Sequence, residues 1–210
     1  MVRLSEQNFR FYCDELCHLE VAFLSVKENY GYPTFWKRSE GYQSLIQIIL
    51  EQQVSLASAK AHFNKLKASC SPLLPEILVE WTDEKFNNCQ VSRQKASYIR
   101  NLSSAVLEKK LIFENLSTES DEDAIHLLTS IKGIGKWTAD IYLMFCLNRP
   151  NRFPLGDIAL IQSMKYCFPY EPSENYQQFV DSWSPYKTIA AYFLWWEYLN
   201  RKNKLNSLYP

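Results

Sequence analysis

Glycine is scarce in this chain, five residues among 210. With 47% hydrophobic residues as well, the composition excludes a loop-rich or disordered polypeptide and favours a packed helical one. Net charge is also missing, because 23 Lys and Arg balance 23 Asp and Glu. There is no global basic signature, so any nucleic-acid role must rest on a local patch. No cysteine pair has C-x-x-C spacing. Cys13, Cys17, Cys70, Cys89, Cys146 and Cys167 sit mostly in apolar or amphipathic stretches and read as reduced structural thiols. Near the start, Arg3, Glu6 and Arg10 interrupt the apolar residues, so no signal-type core forms. No apolar run approaches membrane-span length. The protein is expected to be soluble and cytoplasmic. Asn-Gly and Asp-Gly turns are absent, as is sustained alternation, which argues against β structure.

Helical patterning fills the space these absences leave. Phe9, Tyr12, Cys13, Leu16, Leu19 and Phe23 form a stripe over 5–27. A second helix is expected over 41–51, and Ser55 is a plausible N-cap for 56–66. Short helical pieces follow over 76–88. Ser92 caps a helix whose Ala96, Ile99, Leu102 and Val106 face inward, with Arg93, Lys95 and Arg100 as surface cations. An acidic turn over 119–122 precedes a helix over 123–130. Later elements are a helix over 158–168, a loop over 169–172, a short helix over 174–181 and a last helix over 188–200. A length of 210 residues suits one domain or two small lobes. The fold class is all-α.

The chain is organised around 127–160. Three of its five glycines, Gly133, Gly135 and Gly156, lie there. Apolar residues precede Gly133, Ile134 separates the first two glycines, and 137–147 is mostly apolar at helical length. This reads as helix, tight hairpin, helix. The second helix would begin near Gly135 with free N–H groups and a positive dipole end, where a phosphate can come close. Lys132 and Lys136 flank the turn. By itself the pattern also fits an ordinary helix–helix turn. Further along, Phe153-Pro154-Leu155-Gly156-Asp157 opens another helix, and an aspartate in that position is also a common N-cap.

Ile131-Lys132-Gly133-Ile134-Gly135-Lys136-Trp137-Thr138-Ala139-Asp140 resembles the helix-hairpin-helix of base-excision DNA glycosylases. Phe153 to Asp157 resembles the Gly/Pro-rich loop and aspartate that follow it in that superfamily. Further blocks are similar too: Gln52-Gln53-Val54-Ser55, the segment from Ser92 to Ile99, and Trp183-Ser184-Pro185-Tyr186-Lys187 with its helix through Trp195. The 3-methyladenine DNA glycosylase II family is the nearest in pattern. The resemblance implies a two-lobed catalytic core, one lobe over 40–138 and the other from 1–39 with 139–210, with a cleft between them. It implies Asp157 as the catalytic carboxylate, Trp137, Trp195 and Gln52 lining the base pocket, and Gln53 wedging into the space left by a flipped base. The DNA backbone would lie on Lys132, Gly133, Ile134, Gly135 and Lys136.

Bifunctional relatives carry a lysine nucleophile where this chain has Trp137. Lys136 stands one residue, or about 100 degrees of helix, away from that role, so a monofunctional enzyme is implied. Main-chain carbonyls of Thr129, Ile131 and Ile134 would hold a monovalent cation, Na⁺ or K⁺. No cofactor is otherwise required, and no iron–sulfur cluster is expected, since the cysteines form no four-cysteine loop. The implied partner is double-stranded DNA with damaged bases, not a membrane, and the implied state is a monomer, associated with the nucleoid if bacterial. The expected activity is hydrolysis of the N-glycosidic bond of alkylated purines, 3-methyladenine and 7-methylguanine, after base flipping. A helix-hairpin-helix glycosylase for another lesion, or a non-catalytic DNA-binding module of this type, remain the alternatives.

Overall fold

The computed structural model describes residues 2–169 and 175–205, and among them there is no β-strand. Thirteen helices occur in this part: α1 (Phe9–Leu19), α2 (Val21–Tyr30), α3 (Tyr42–Glu51), α4 (Leu56–Ser69), α5 (Pro75–Leu78), α6 (Asp83–Asn88), α7 (Arg93–Leu107), α8 (Phe113–Leu116), α9 (Asp121–Thr129), α10 (Lys136–Phe145), α11 (Ile158–Cys167), α12 (Tyr176–Asp181) and α13 (Lys187–Arg201). They form two compact units. One comprises Arg38–Tyr142; the other runs up to Lys37 and resumes at Leu143. The division falls inside α10.

In the 38–142 unit, α3 is the buried centre. Leu45, Ile46, Ile48, Ile49 and Leu50 are fully buried, so this helix is apolar on nearly every side. Each such side chain contributes about 1.5–3 kcal/mol by leaving water. α3 packs on α4 and α7, and α7 brings Ala96, Ile99 and Leu102 inward. A buried polar contact links α3 to α7, Tyr42 Oη to Ser103 Oγ at 2.6 Å. Two helix starts here have the side-chain caps their sequences suggest, Ser55 accepting from Ser58 N–H and Ser92 from Lys95 N–H; Thr82 and Ser120 cap α6 and α9 in the same way.

In the other unit, α13 packs against α11, α2 and α1. Its core is aromatic. Trp183, 1% exposed, meets Phe23, Phe153, Phe168 and Phe179 with ring centroids 4.8–5.8 Å apart. Offset and edge-on pairs of this kind add about 0.5–1.5 kcal/mol each beyond their buried area. A buried polar contact also ties α11 to α13: Ser163 Oγ donates to Glu197 Oε2 at 2.6 Å, and Arg201 caps the same carboxylate.

Several expectations need correction. The stripe over 5–27 is two helices, because Glu20 leaves helical geometry (φ −142°, ψ 110°) and its carboxylate caps α2 through Ala22 N–H. The acidic turn over 119–122 is the start of α9, where Asp121, Glu122 and Asp123 occupy the first turn and favour the helix dipole. Lys95 and Arg100 are not simple surface cations. Lys95 Nζ donates to Leu50 O at 2.7 Å, and Arg100 bonds Trp81 O and Asp83. The expected loop over 169–172 lies outside the described residues beyond 169, as does position 174 of the short helix; the rest of that helix is α12.

Candidate active site

Two groups of the expected site residues assemble, one in each unit. In the 38–142 unit the hairpin between α9 and α10 closes through Ile134 N–H to Ile131 O at 3.0 Å. Gly133 takes φ +105°, a region open to glycine. A methyl group there would also lie 2.2 Å from Cγ of Tyr98, so the turn sits directly on an α7 ring. Asn101 of α7 donates to Lys132 O at 3.1 Å. Gly135 differs. Its φ is not positive, and a Cβ there would meet nothing within 4 Å. Neither backbone nor packing demands glycine at 135, and the position is exposed, as are Lys132 and Lys136. The left-handed glycine of the hairpin is thus Gly133, while Gly135 leaves open surface at the start of α10.

Gln52 follows the last residue of α3. Its Nε2 donates to Gly133 O and to Thr138 Oγ1, both at 2.9 Å. The amide nitrogen of this expected base-pocket residue is therefore committed to the hairpin. Gln53 is exposed, with φ +55°. Non-glycine residues rarely hold that conformation, and it turns the chain sharply before α4. Gln52 and Gln53 line a cavity of about 200 Å³ together with His62, Gln90, Gln94 and Lys95. Burial and the neighbouring Lys95 and Lys65 push the His62 pKa down, and burial pushes that of Lys95 down against the pull of Glu51. Trp137 is half-buried on the first turn of α10. Four residues along, Ile141 is buried, and Tyr142 is fully buried with its hydroxyl accepting from Gly41 N–H at 2.8 Å. Tyr142 is thus a core residue.

In the other unit, Asp157 precedes α11 and caps it. Oδ1 accepts from Ala159 N–H at 2.9 Å, Leu160 N–H at 3.2 Å and Trp195 Nε1–H at 3.3 Å. The same oxygen thus caps the helix and accepts from the indole. The loop before it is tightly held. Thr188 Oγ1 donates to Arg149 O at 2.7 Å and accepts from Arg152 N–H at 2.9 Å, while Phe153 is pinned on Trp183. Asp157 N–H donates to Pro154 O at 2.9 Å. Trp195 is half-buried on α13 among Trp36 and Phe145, at 6.2 and 5.6 Å, and Tyr192 stacks on Trp36 at 4.9 Å. A carboxylate is thus presented at a helix start beside a tryptophan N–H and a wall of rings. Trp36 and Phe145 were not among the expected site residues. Trp36 stands in a loop with no periodic pattern, and Phe145 reads simply as the apolar end of α10.

Among the described residues, no group of three His, Cys, Asp or Glu side chains is arranged to hold a metal ion. No helix there is long and apolar enough to cross a membrane.

An all-helical chain with a braced hairpin, followed by an aspartate capping a helix beside indole rings, has the features of a base-excision repair protein of the helix-hairpin-helix type. The model of the HhH-GPD superfamily base excision DNA repair proteins matches residues 46–185, and the chain belongs to that superfamily. It is 29% identical over 174 residues to DNA-3-methyladenine glycosylase 1 of Schizosaccharomyces pombe, covering 80% of this chain and 76% of that protein. It is 32% identical over 166 residues to the Bacillus subtilis protein YfjP; that match covers 73% of this chain and spans only 58% of the relative's length. Among solved structures it is similar to the S. pombe 3-methyladenine DNA glycosylase Mag1 in complex with abasic DNA, with TM-score 0.80, 26% identity, and coverage of 95% of this chain and 99% of that one. A Bacillus halodurans DNA-3-methyladenine glycosidase matches with TM-score 0.76, 27% identity, and coverage of 92% and 91%.

Proposed function

We propose that this protein is a monofunctional DNA glycosylase that hydrolyses the N-glycosidic bond of alkylated purines in base-excision repair. One observation carries the reading: Asp157 is held by two backbone amides and an indole N–H beside an aromatic wall. Breaking the bond from base to C1′ builds positive charge on the sugar. A carboxylate fixed in advance stabilises that charge without reorganising and can orient the attacking water.

A base inside a duplex cannot reach such a group, so it is flipped out first. Gln53, exposed at a sharp corner, fills the space left behind. The hairpin takes the DNA backbone, with Gly135 allowing close approach and Lys132 and Lys136 adding charge. Thr129, Ile131 and Ile134 carbonyls are the candidate holders of a monovalent cation. The Ile131 carbonyl accepts Ile134 N–H and keeps a second lone pair for such an ion. Bound there, the ion adds positive charge to the hairpin. Alkylation at a ring nitrogen makes a purine cationic; it is drawn to electron-rich ring faces and leaves as a neutral base without a strong acid. The similarity to enzymes named for 3-methyladenine supports this substrate class. The working species is a monomer acting wherever the cell keeps its DNA.

A panel of duplexes, each with one damaged base, tests the reading. Release of 3-methyladenine and 7-methylguanine ahead of hypoxanthine is the expected result. Efficient excision of 8-oxoguanine or uracil with 3-methyladenine left intact would assign another lesion, and binding without release would make the protein a non-catalytic module.

A further inference from the structure

The corner where α3 ends has more ties than a helix end needs. Glu51, its last residue, is 7% exposed. A carboxylate is doubly disfavoured there. Burial strips its water, and the end of the helix carries partial negative charge. Arg38 answers with a two-pronged contact, Nη1 to Oε2 at 3.0 Å and Nη2 to Oε1 at 2.9 Å. One residue earlier, Leu50 O accepts from Lys95 Nζ; one residue later, Gln52 reaches the hairpin. Three successive residues are thus held by three different segments, and exposed Gln53 comes next in its left-handed conformation.

A buried ion pair is weak support for stability, because well-packed apolar replacements often fold as well or better. Its better-attested use is selecting one geometry among several. A guanidinium fork fixes the plane of the carboxylate it grips as well as its position. We propose that Arg38 and Glu51 are a positioning pair that sets the orientation of the last turn of α3, so that Gln53 enters DNA already ordered. Neither residue touches substrate. Lys95 and Gln52 hold the corner against α7 and the hairpin, and the Arg38 fork stops its last turn from rolling. With the fork gone, Gln53 populates ordinary backbone conformations and must be reordered during each insertion, which slows flipping.

The inference rests on Gln53 being the wedge, and the experiment separates the two ideas. The full chain carrying Arg38→Met with Glu51→Leu is compared with Gln53→Ala and with Arg38→Lys, which keeps the charge, and therefore the fold, but loses the fork. Flipping is followed by the fluorescence of 2-aminopurine beside a 7-methylguanine, base release by single turnover, and backbone binding by affinity for an undamaged duplex. In the double variant, flipping and release should fall together at least tenfold while undamaged-duplex affinity stays within twofold; Arg38→Lys should fall between it and the wild type. Wild-type flipping in Arg38→Lys or in the folded double variant, with Gln53→Ala impaired, overturns the positioning role and leaves the wedge standing. Wild-type flipping in Gln53→Ala overturns both.

Discussion

The hairpin region and the Asp157 region are built from opposite materials. Around the hairpin, order comes from hydrogen bonds between side chains and backbone: Gln52 and Asn101 bond the carbonyls of Gly133 and Lys132, and a single ring, Tyr98, lies under the turn. Around Asp157, order comes from packed rings and one shared cap, with Trp195 donating to the carboxylate and Trp36 and Phe145 packed beside Trp195. The hairpin leaves Gly135, Lys132 and Lys136 open to solvent, while Asp157 and Trp195 are half-buried. The difference follows from the proposed tasks. A phosphate is charged and wet and is met by exposed amides and cations at little desolvation cost. A developing sugar cation is stabilised best by a fixed charge in surroundings poor in water.

The largest expected effect breaks the second region alone. Asp157→Asn keeps an oxygen for the amides of Ala159 and Leu160, so α11 stays capped, but it removes the charge. Single-turnover base release should drop by about a hundredfold or more, with lesion-DNA binding retained; near-wild-type release would remove Asp157 from the chemistry. Next comes Gly133→Ala, which forces a left-handed alanine into the Tyr98 ring. Denaturant unfolding should show a loss of about 2–4 kcal/mol, and an unchanged midpoint would mean the turn is softer than its geometry.

Trp195→Ala sharpens the contrast within the aromatic wall. Release of 7-methylguanine should suffer more than release of hypoxanthine, by the roughly 2- to 30-fold that corresponds to about 0.5–2 kcal/mol of cation–π attraction. Equal losses would point to Asp157 positioning instead. Gly135→Ala is the counterpart of Gly133→Ala. Stability should hold, because nothing lies within 4 Å of the new methyl, and affinity should fall several-fold for damaged and undamaged duplexes alike. A loss confined to damaged DNA would contradict a backbone-binding hairpin. The smallest signal is an absence: borohydride should trap no protein–DNA adduct, and an adduct lost on Lys136→Ala would reveal a lyase activity.

What the sequence determined by itself was whatever depends on local chemistry. Apolar spacing specified the buried faces of α3 and α7, and Ser55 and Ser92 marked helix starts because a hydroxyl satisfies amides only a few residues away. The ordered blocks around Gly133, Asp157 and Trp183 identified the superfamily. Where local signals were weak, boundaries shifted: Glu20 is an unusual cap, and an acidic run reads as a turn when it can equally open a helix. Only the tertiary structure decided the long-range partners. Nothing near Glu51 in sequence announces that Arg38 neutralises it, that Gln52 spends its amide on Gly133 and Thr138, or that Trp36 and Phe145 stand beside Trp195. Nor could spacing say which hairpin glycine is structural, because a positive φ and the ring of Tyr98 become visible only once α7 lies under the turn. Short-range hydrogen bonds are encoded in neighbouring residues, whereas desolvation, ion pairing and ring packing belong to groups that only folding brings together.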